Sequence, residues 1–251
     1  MRFVKMCSIL ITGANRGIGL GLVKNLLANQ QPQVEYVFAT CRDKGKAKEL
    51  MELTANSKLH VYEADLIDNG SFFNLASQVS TIVKDKGLNV LINNAGISSK
   101  FTRIGLVKSD DLLNHFKINT IGPIMLTQAF VPLLKTASKT SENSVGMSKA
   151  VILNISSIMS SITLNDQGGF YPYRTSKIAL NAATKSLSID LKSDGVLAVN
   201  LHPGWVKTSM GGSNAPLTVD QSVAGICKFL SEVNESHNGG LYDYQGKKLP
   251  W

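Results

Sequence analysis

The 251-residue sequence predicts an α/β fold, a doubly wound parallel sheet of about seven strands with helices on both faces. Three observations lead there. Short runs rich in Val, Ile and Leu alternate with longer stretches of helical periodicity, which is how βαβ units read in a sequence. Several of the short runs are apolar almost throughout, as strands covered on both faces must be. The first run passes directly into a glycine-rich turn and then into a helical stretch, so the opening unit is strand, tight turn, helix.

The expected strands are Ser8–Thr12, Tyr36–Cys41, Leu59–Glu63, Val90–Asn93, Ala150–Ser156, Leu197–His202 and Leu241–Tyr242. Helical patterns fall between them at Ile18–Asn29, Ala47–Leu53, Phe72–Lys86, Asp110–Asn119, Ile124–Ser138, Tyr173–Ser193 and Val219–Glu232. Each strand–helix–strand crossover is expected to be right-handed. No repeat or low-complexity linker divides the chain, so residues 1–251 read as one domain. The polar stretch Thr136–Lys149 reads as a surface loop.

Composition narrows the function classes. Apolar residues make up 43% and charged residues 18%, an ordinary globular balance. Cys7, Cys41 and Cys227 are odd in number, far apart and without a C-x-x-C, which argues against a disulfide framework or a zinc site. That usage suits a reducing compartment, and with no secretory signal and no apolar run approaching about 18 residues, a cytoplasmic protein with no membrane partner is expected. The net charge of +8 comes from scattered lysines without interleaved aromatics. It reads as a surface that attracts anionic ligands, and no nucleic-acid partner is expected. His60, His115, His202 and His237 form no metal-ligand spacing, so no metal is expected either. The absence of a G-x-S-x-G leaves a serine hydrolase unsupported.

The glycine turn is Thr12-Gly13-Ala14-Asn15-Arg16-Gly17-Ile18-Gly19. Glycines allow backbone to approach a pyrophosphate closely, and the following helix N-terminus offers free N–H groups and a positive dipole. The context required of such a motif, a buried strand before and a helix after, is present. It implies a Rossmann-type nucleotide site.

The spacing T-G-x-x-x-G-x-G resembles that of the short-chain dehydrogenase/reductase family, and five further segments extend the resemblance in the family's order. They are Asn93-Asn94-Ala95-Gly96, Asn119, Asn154-Ile155-Ser156-Ser157 with Tyr173-Arg174-Thr175-Ser176-Lys177, and Pro203-Gly204. The resemblance spans nearly the whole chain, and the segments around Tyr173–Lys177 and His202–Thr208 are similar to those of Sniffer-type carbonyl reductases. It implies a catalytic set of Asn119, Ser157, Tyr173 and Lys177 and a homodimer paired through the helices holding Asn119 and Tyr173. It also implies a cofactor site of Gly13, Asn15, Arg16, Gly17, Ile18, Gly19, Arg42, Asp65, Leu66, Asn93, Ala95, Gly96, Tyr173, Lys177, Pro203, Gly204, Val206 and Thr208. The segment 205–217, rich in Gly, Ser and Asn, resembles a lid over a substrate loop. The distance from Ser157 to Tyr173 exceeds the family's common spacing by a few residues.

Those residue types suit carbonyl reduction. A nicotinamide supplies hydride, and a positioned acid must supply a proton. A tyrosine titrates near 10, and a cation at i+4 on the same helix face would favour its phenolate and lower that value. Tyr173 has Lys177 there; the rival Tyr171 has only Thr175. Strand alternation lets one of Ser156 and Ser157 face the site, and the resemblance favours Ser157 to stabilise the carbonyl oxygen. Asn119 would hold a water linking Lys177 to solvent. The second strand ends Cys41-Arg42 where an NAD site carries an acid, so Arg42, with Arg16, is expected to clamp the 2′-phosphate of NADPH/NADP+. Asp43 reads as a residue opening the next helix. The small-molecule substrate expected is an aldehyde, ketone or quinone. A reductase or dehydrogenase dedicated to one pterin, steroid or sugar alcohol, and a non-catalytic cofactor-binding regulator, are the competing readings.

Overall fold

The computed structural model describes residues 7–28, 33–140 and 145–251. Its strands are β1 (Cys7–Ile11), β2 (Val34–Cys41), β3 (Leu59–Glu63), β4 (Val90–Asn93), β5 (Ala150–Ile155), β6 (Val196–His202), β7 (Leu241–Asp243) and β8 (Lys248–Leu249). They form one sheet in the order β3-β2-β1-β4-β5-β6-β7-β8. All neighbours are parallel except β8, which returns antiparallel to β7 and adds one short edge strand to the seven expected. The order reverses between β1 and β4, so the C-terminal ends of these two strands open a crevice at the switch point.

The helices are α1 (Gly17–Ala28), α2 (Lys48–Glu52), α3 (Phe72–Val83), α4 (Ser109–Phe116), α5 (Gly122–Lys139), α6 (Tyr171–Asp190) and α7 (Val219–Glu232). Alternate strand residues feed two cores. Ile9, Ile11, Ile92, Leu153 and Val199 pack with Leu22, Val23 and Leu26 of α1 and Ile226 and Leu230 of α7. Leu10, Leu91, Ile152 and Ala198 pack with Phe72 and Val79 of α3 and Leu126, Phe130 and Leu134 of α5. Period-2 side-chain alternation in strands buried on both faces produces this two-sided core. No helix among the described residues is long and apolar enough to cross a membrane.

Three sequence expectations change in detail. The two helices expected at Asp110–Asn119 and Ile124–Ser138 are one continuous helical run, because a π-helical turn, Lys117–Ile121, joins α4 to α5. Pro123, which lacks an N–H, follows directly on the π turn. Helix α5 runs on to Lys139, so the loop expected from Thr136 begins later; residues 141–144 of it, like Asn29, lie outside the described residues. Helix α6 begins two residues early, at Tyr171, with Pro172 in its first turn.

Candidate active site

The site lies at the C-terminal ends of β1, β4, β5 and β6, starting from the turn between β1 and α1. Gly13 and Gly17 take left-handed φ values of 64° and 55°. A Cβ on Gly13 would sit 2.9 Å from Ala95, and one on Gly19 would collide with the Gly13 carbonyl and the Asn94 amide. Glycine at these places is therefore a steric requirement. Asn94 fixes the turn from β4: its Nδ2 donates to the Thr12 carbonyl at 2.8 Å, while Thr12 Oγ1 accepts from the N–H groups of Asn94 and Ala95, each at 3.0 Å. Asn94 is not among the expected site residues; its place in the Asn93-Asn94-Ala95-Gly96 segment is the signal the sequence offers.

Arg16 and Arg42 are exposed, and among the described residues neither guanidinium pairs with a carboxylate. Asp43 behaves as expected of a residue opening a helix. Its side chain accepts from Lys46 N at 3.3 Å, and the Lys46 side chain beside it holds its carboxyl below the ordinary range. Cys41, where an acid would bind a ribose, is buried with its thiol pushed up by that burial. Asp65 is exposed and accepts from Ile67 N, and Leu66 is buried against Gly122 of α5.

Two of the expected catalytic side chains, Asn119 and Lys177, meet at Gly96. A Cβ there would lie 3.1 Å from Asn119 Oδ1 and 3.6 Å from Lys177 Nζ. Lys177 is 4% exposed and donates to the Ile155 carbonyl at 2.7 Å; burial lowers its pKa to about 8. Tyr173 is partly buried, and its hydroxyl interacts with the Ser157 side chain. Burial raises the Tyr173 pKa above 10 and outweighs the lowering by that interaction. The direction is opposite to the one expected from Lys177, whose ammonium is turned to Ile155.

Ser156 and Ser157 divide as strand alternation demands. Ser156 Oγ turns inward to Asn181 Oδ1 at 2.7 Å, leaving Ser157 facing Tyr173. Asn119 sits in the π turn, a feature often found at functional sites, and is fully buried. Its side chain brackets the Ile97 peptide, accepting from its N–H and donating to its carbonyl, both at 2.9 Å, and donates to Ser176 Oγ at 3.0 Å. Both Nδ2 hydrogens are thereby used, and Oδ1 keeps a second lone pair.

Asn93 also turns away from the crevice. Its Nδ2 donates to Asn154 Oδ1 at 2.7 Å and to Thr127 Oγ1 at 3.2 Å. Asn154 continues to Thr184 at 2.7 Å, and Thr184 to Asn200 at 2.8 Å. Asn93, Asn154 and Asn200 are register partners across β4, β5 and β6, forming a buried amide ladder beneath the site.

Beyond β6, Pro203 accepts from Ser222 Oγ at 2.6 Å, and Gly204 adopts φ 84° beneath Leu217. Segment 205–217 is pinned at its ends by the Val206–Leu217 bridge and by Lys207 N to Leu217 O at 2.8 Å. Thr208 from this segment comes within 3.3 Å of where a Gly17 Cβ would stand, so the segment reaches back over the glycine turn. Phe101 and Phe170 meet edge to face at 5.2 Å near the start of α6.

Chemically the crevice combines a backbone cradle for an anion, two exposed guanidiniums without a carboxylate partner among the described residues, and a buried ammonium. Those donors fit a phosphorylated dinucleotide. The comparisons with known proteins agree. The short chain dehydrogenase family model matches residues 8–216. The carbonyl reductase Sniffer of D. melanogaster is 51% identical, with a TM-score of 0.96 over 98% of this chain and 100% of that one. An NADPH-bound carbonyl reductase from chicken fatty liver is 41% identical, with a TM-score of 0.92 over the same shares. An uncharacterized oxidoreductase of Schizosaccharomyces pombe is 32% identical over 265 residues, 96% of each chain. The fold, the ordered motifs and the family match together make this chain a member of the short-chain dehydrogenase/reductase family.

Proposed function

We propose that this protein reduces carbonyl compounds (aldehydes, ketones and quinones) to alcohols with NADPH. The observation that carries this reading is buried Lys177, which donates to the Ile155 carbonyl two residues before Ser157, while the Ser157 side chain interacts with the Tyr173 hydroxyl. The two solved carbonyl reductases, one of them NADPH-bound, support it.

In this reading the turn of Gly13, Asn15, Gly17, Ile18 and Gly19 cradles the pyrophosphate, Arg16 and Arg42 hold the 2′-phosphate, and Asp65 and Leu66 border the adenine. Asn93 and Ala95 by their backbone, with Gly96, border the nicotinamide ribose, which Lys177 holds. Pro203, Gly204, Val206 and Thr208 flank the nicotinamide, and segment 205–217 closes over the substrate. NADPH, when bound, supplies the hydride. Ser157 donates a hydrogen bond to the carbonyl oxygen as charge develops there. Tyr173 gives that oxygen its proton. The Tyr173 hydroxyl is the protonated form at neutral pH, as a donor must be. Asn119 holds a water that links Lys177 to solvent, the path by which a proton returns to Tyr173. Exposed Leu113 of α4 and Ile121 of the π turn offer apolar surface for a homodimer contact.

The test follows NADPH and NADH oxidation against quinones, aromatic aldehydes and aliphatic ketones, with Tyr173→Phe as control. Broad turnover with NADPH, lost in the variant while NADPH still binds, is the expected result. Tight cofactor binding with no turnover would move the assignment to a regulatory protein, and turnover confined to one compound would move it to a dedicated reductase. A monomeric mass by light scattering would remove the dimer.

A further inference from the structure

Arg174 follows Tyr173 in the chain, at a position that the Y-x-x-x-K pattern leaves open. Its side chain is 8% exposed. Among the described residues no carboxylate pairs with it, and its Nε is buried without a hydrogen-bond partner. A buried, uncompensated cation is costly, so its contacts call for an explanation.

The contact it does make leads to Ser157. Arg174 Nη1 donates to the Met159 carbonyl at 3.2 Å. The N–H of the same Met159 donates to Ser157 Oγ at 3.1 Å. A serine hydroxyl carries one hydrogen and two acceptor lone pairs. Met159 N–H therefore occupies one lone pair, fixes the position of Oγ, and leaves the hydrogen to point at Tyr173 or a substrate oxygen. The rest of the short turn is held from its far side. Ser160 N and Oγ both donate to the Ser157 carbonyl, at 3.0 and 2.5 Å, and Asn181 Nδ2 donates to Ser160 Oγ at 2.7 Å. Arg174 thus anchors the residue that touches the Ser157 hydroxyl, while Asn181 anchors its backbone.

We propose that Arg174 is a positioning residue for Ser157, acting through Met159. The proposal rests on the reading above that Ser157 binds the carbonyl oxygen. Helix α6 then serves the reaction with successive residues: Tyr173 as the acid, Arg174 holding the serine that shares its substrate oxygen.

The experiment is a double-mutant cycle on the full chain with NADPH and a carbonyl substrate. It uses Arg174→Met, Arg174→Lys, Ser157→Ala and the Ser157→Ala combinations. Arg174→Met should lower kcat about tenfold by misplacing the serine, with the NADPH dissociation constant unchanged within about twofold. Arg174→Lys should recover part of the rate, since an ammonium can still donate to the Met159 carbonyl. In the Ser157→Ala background, Arg174→Met should cost nothing further. Equal fold-losses in both backgrounds would overturn the proposal, as would an unchanged kcat. So would loss of the folded state in both Arg174 variants by circular dichroism, which would assign the residue to stability alone. If the unsubstituted protein turns over no carbonyl, the reductase reading fails first and takes the proposal with it. An active protein with an additive cycle sinks the proposal alone.

Discussion

Lys177 shows how the site places function against stability. Its ammonium is buried with one backbone acceptor, and burial lowers its pKa to about 8 against an ordinary value of 10.5. The folded protein therefore binds fewer protons than the unfolded chain between about pH 8 and 10.5, so the cost of burying the charge is full at pH 7 and fades as pH rises through that window. Replacing Lys177 by Met should raise stability at pH 7 by on the order of 1 kcal/mol, after the lost hydrogen bond is counted, while abolishing turnover. Thermal melting of the variant measures it, and a lower midpoint would show that the charge is compensated. Arg42 allows a second test at this scale. With Arg42 holding the 2′-phosphate as proposed, Arg42→Ala should raise KM for NADPH about tenfold or more and leave KM for NADH nearly unchanged, since NADH carries no such phosphate. Steady-state kinetics with both cofactors would show it. Much of this was legible in the sequence: the glycines, Ser157, Tyr173 and Lys177 announce themselves through residue type and order. The direction of the Tyr173 shift was not, because it depends on burial and on where the Lys177 ammonium turns, and neither has a sequence signature.

At the scale of elements, the loop from β5 to α6 is shaped by backbone that few residues adopt. Gly168, Gly169 and Phe170 all have positive φ, at 63°, 65° and 51°, and Phe170 is one of two non-glycine residues so placed among those described. Phe170 is held there by its edge-to-face contact with Phe101. A Cβ on Gly169 would run into the Phe101 ring. Gly169→Ala should thus cost about 1–3 kcal/mol, from strain and from displacing Phe101. Phe170→Gly should keep the helix start, since glycine adopts the same backbone freely. Urea unfolding of the two variants separates these effects; equal loss in both would mean that the aromatic contact, not the backbone, sets the loop. The strands were legible because two-sided burial leaves uniformly apolar runs. The join of α4 to α5 was not, since a π turn adds one residue without changing composition, and Asn119 and Gly122 look like helix-breaking residues when read singly. The amide ladder did leave a trace: β4, β5 and β6 carry Asn93, Asn154 and Asn200 after apolar runs, a repeated pattern whose meaning appears only once the strands are placed in register.

For the whole molecule, the parallel sheet brings residues far apart in the chain to one edge, and its acid stability should be decided close to that edge. His202 ends β6, pairs in register with Asp243 of β7, and immediately precedes Pro203-Gly204. Its Nδ1 is buried without a hydrogen-bond partner. Burial lowers its pKa to about 4, although Asp243 nearby works in the opposite direction. The folded-state value lies below the ordinary 6.5, so the unfolded chain takes up a proton first as the solution is acidified. Stability from a neutral His202 is then complete above about pH 6.5 and is lost as pH falls toward 4. Between pH 7 and pH 5 the loss should be about 1–2 kcal/mol from this residue. His202→Gln removes the titration, so its urea midpoint should fall less than that of the unsubstituted protein over the same interval. Identical pH slopes for the two proteins would place the acid-sensitive group elsewhere. A smaller slope in the variant would assign that part of the acid sensitivity to His202, at the junction of β6 and β7 that leads into the segment over the glycine turn.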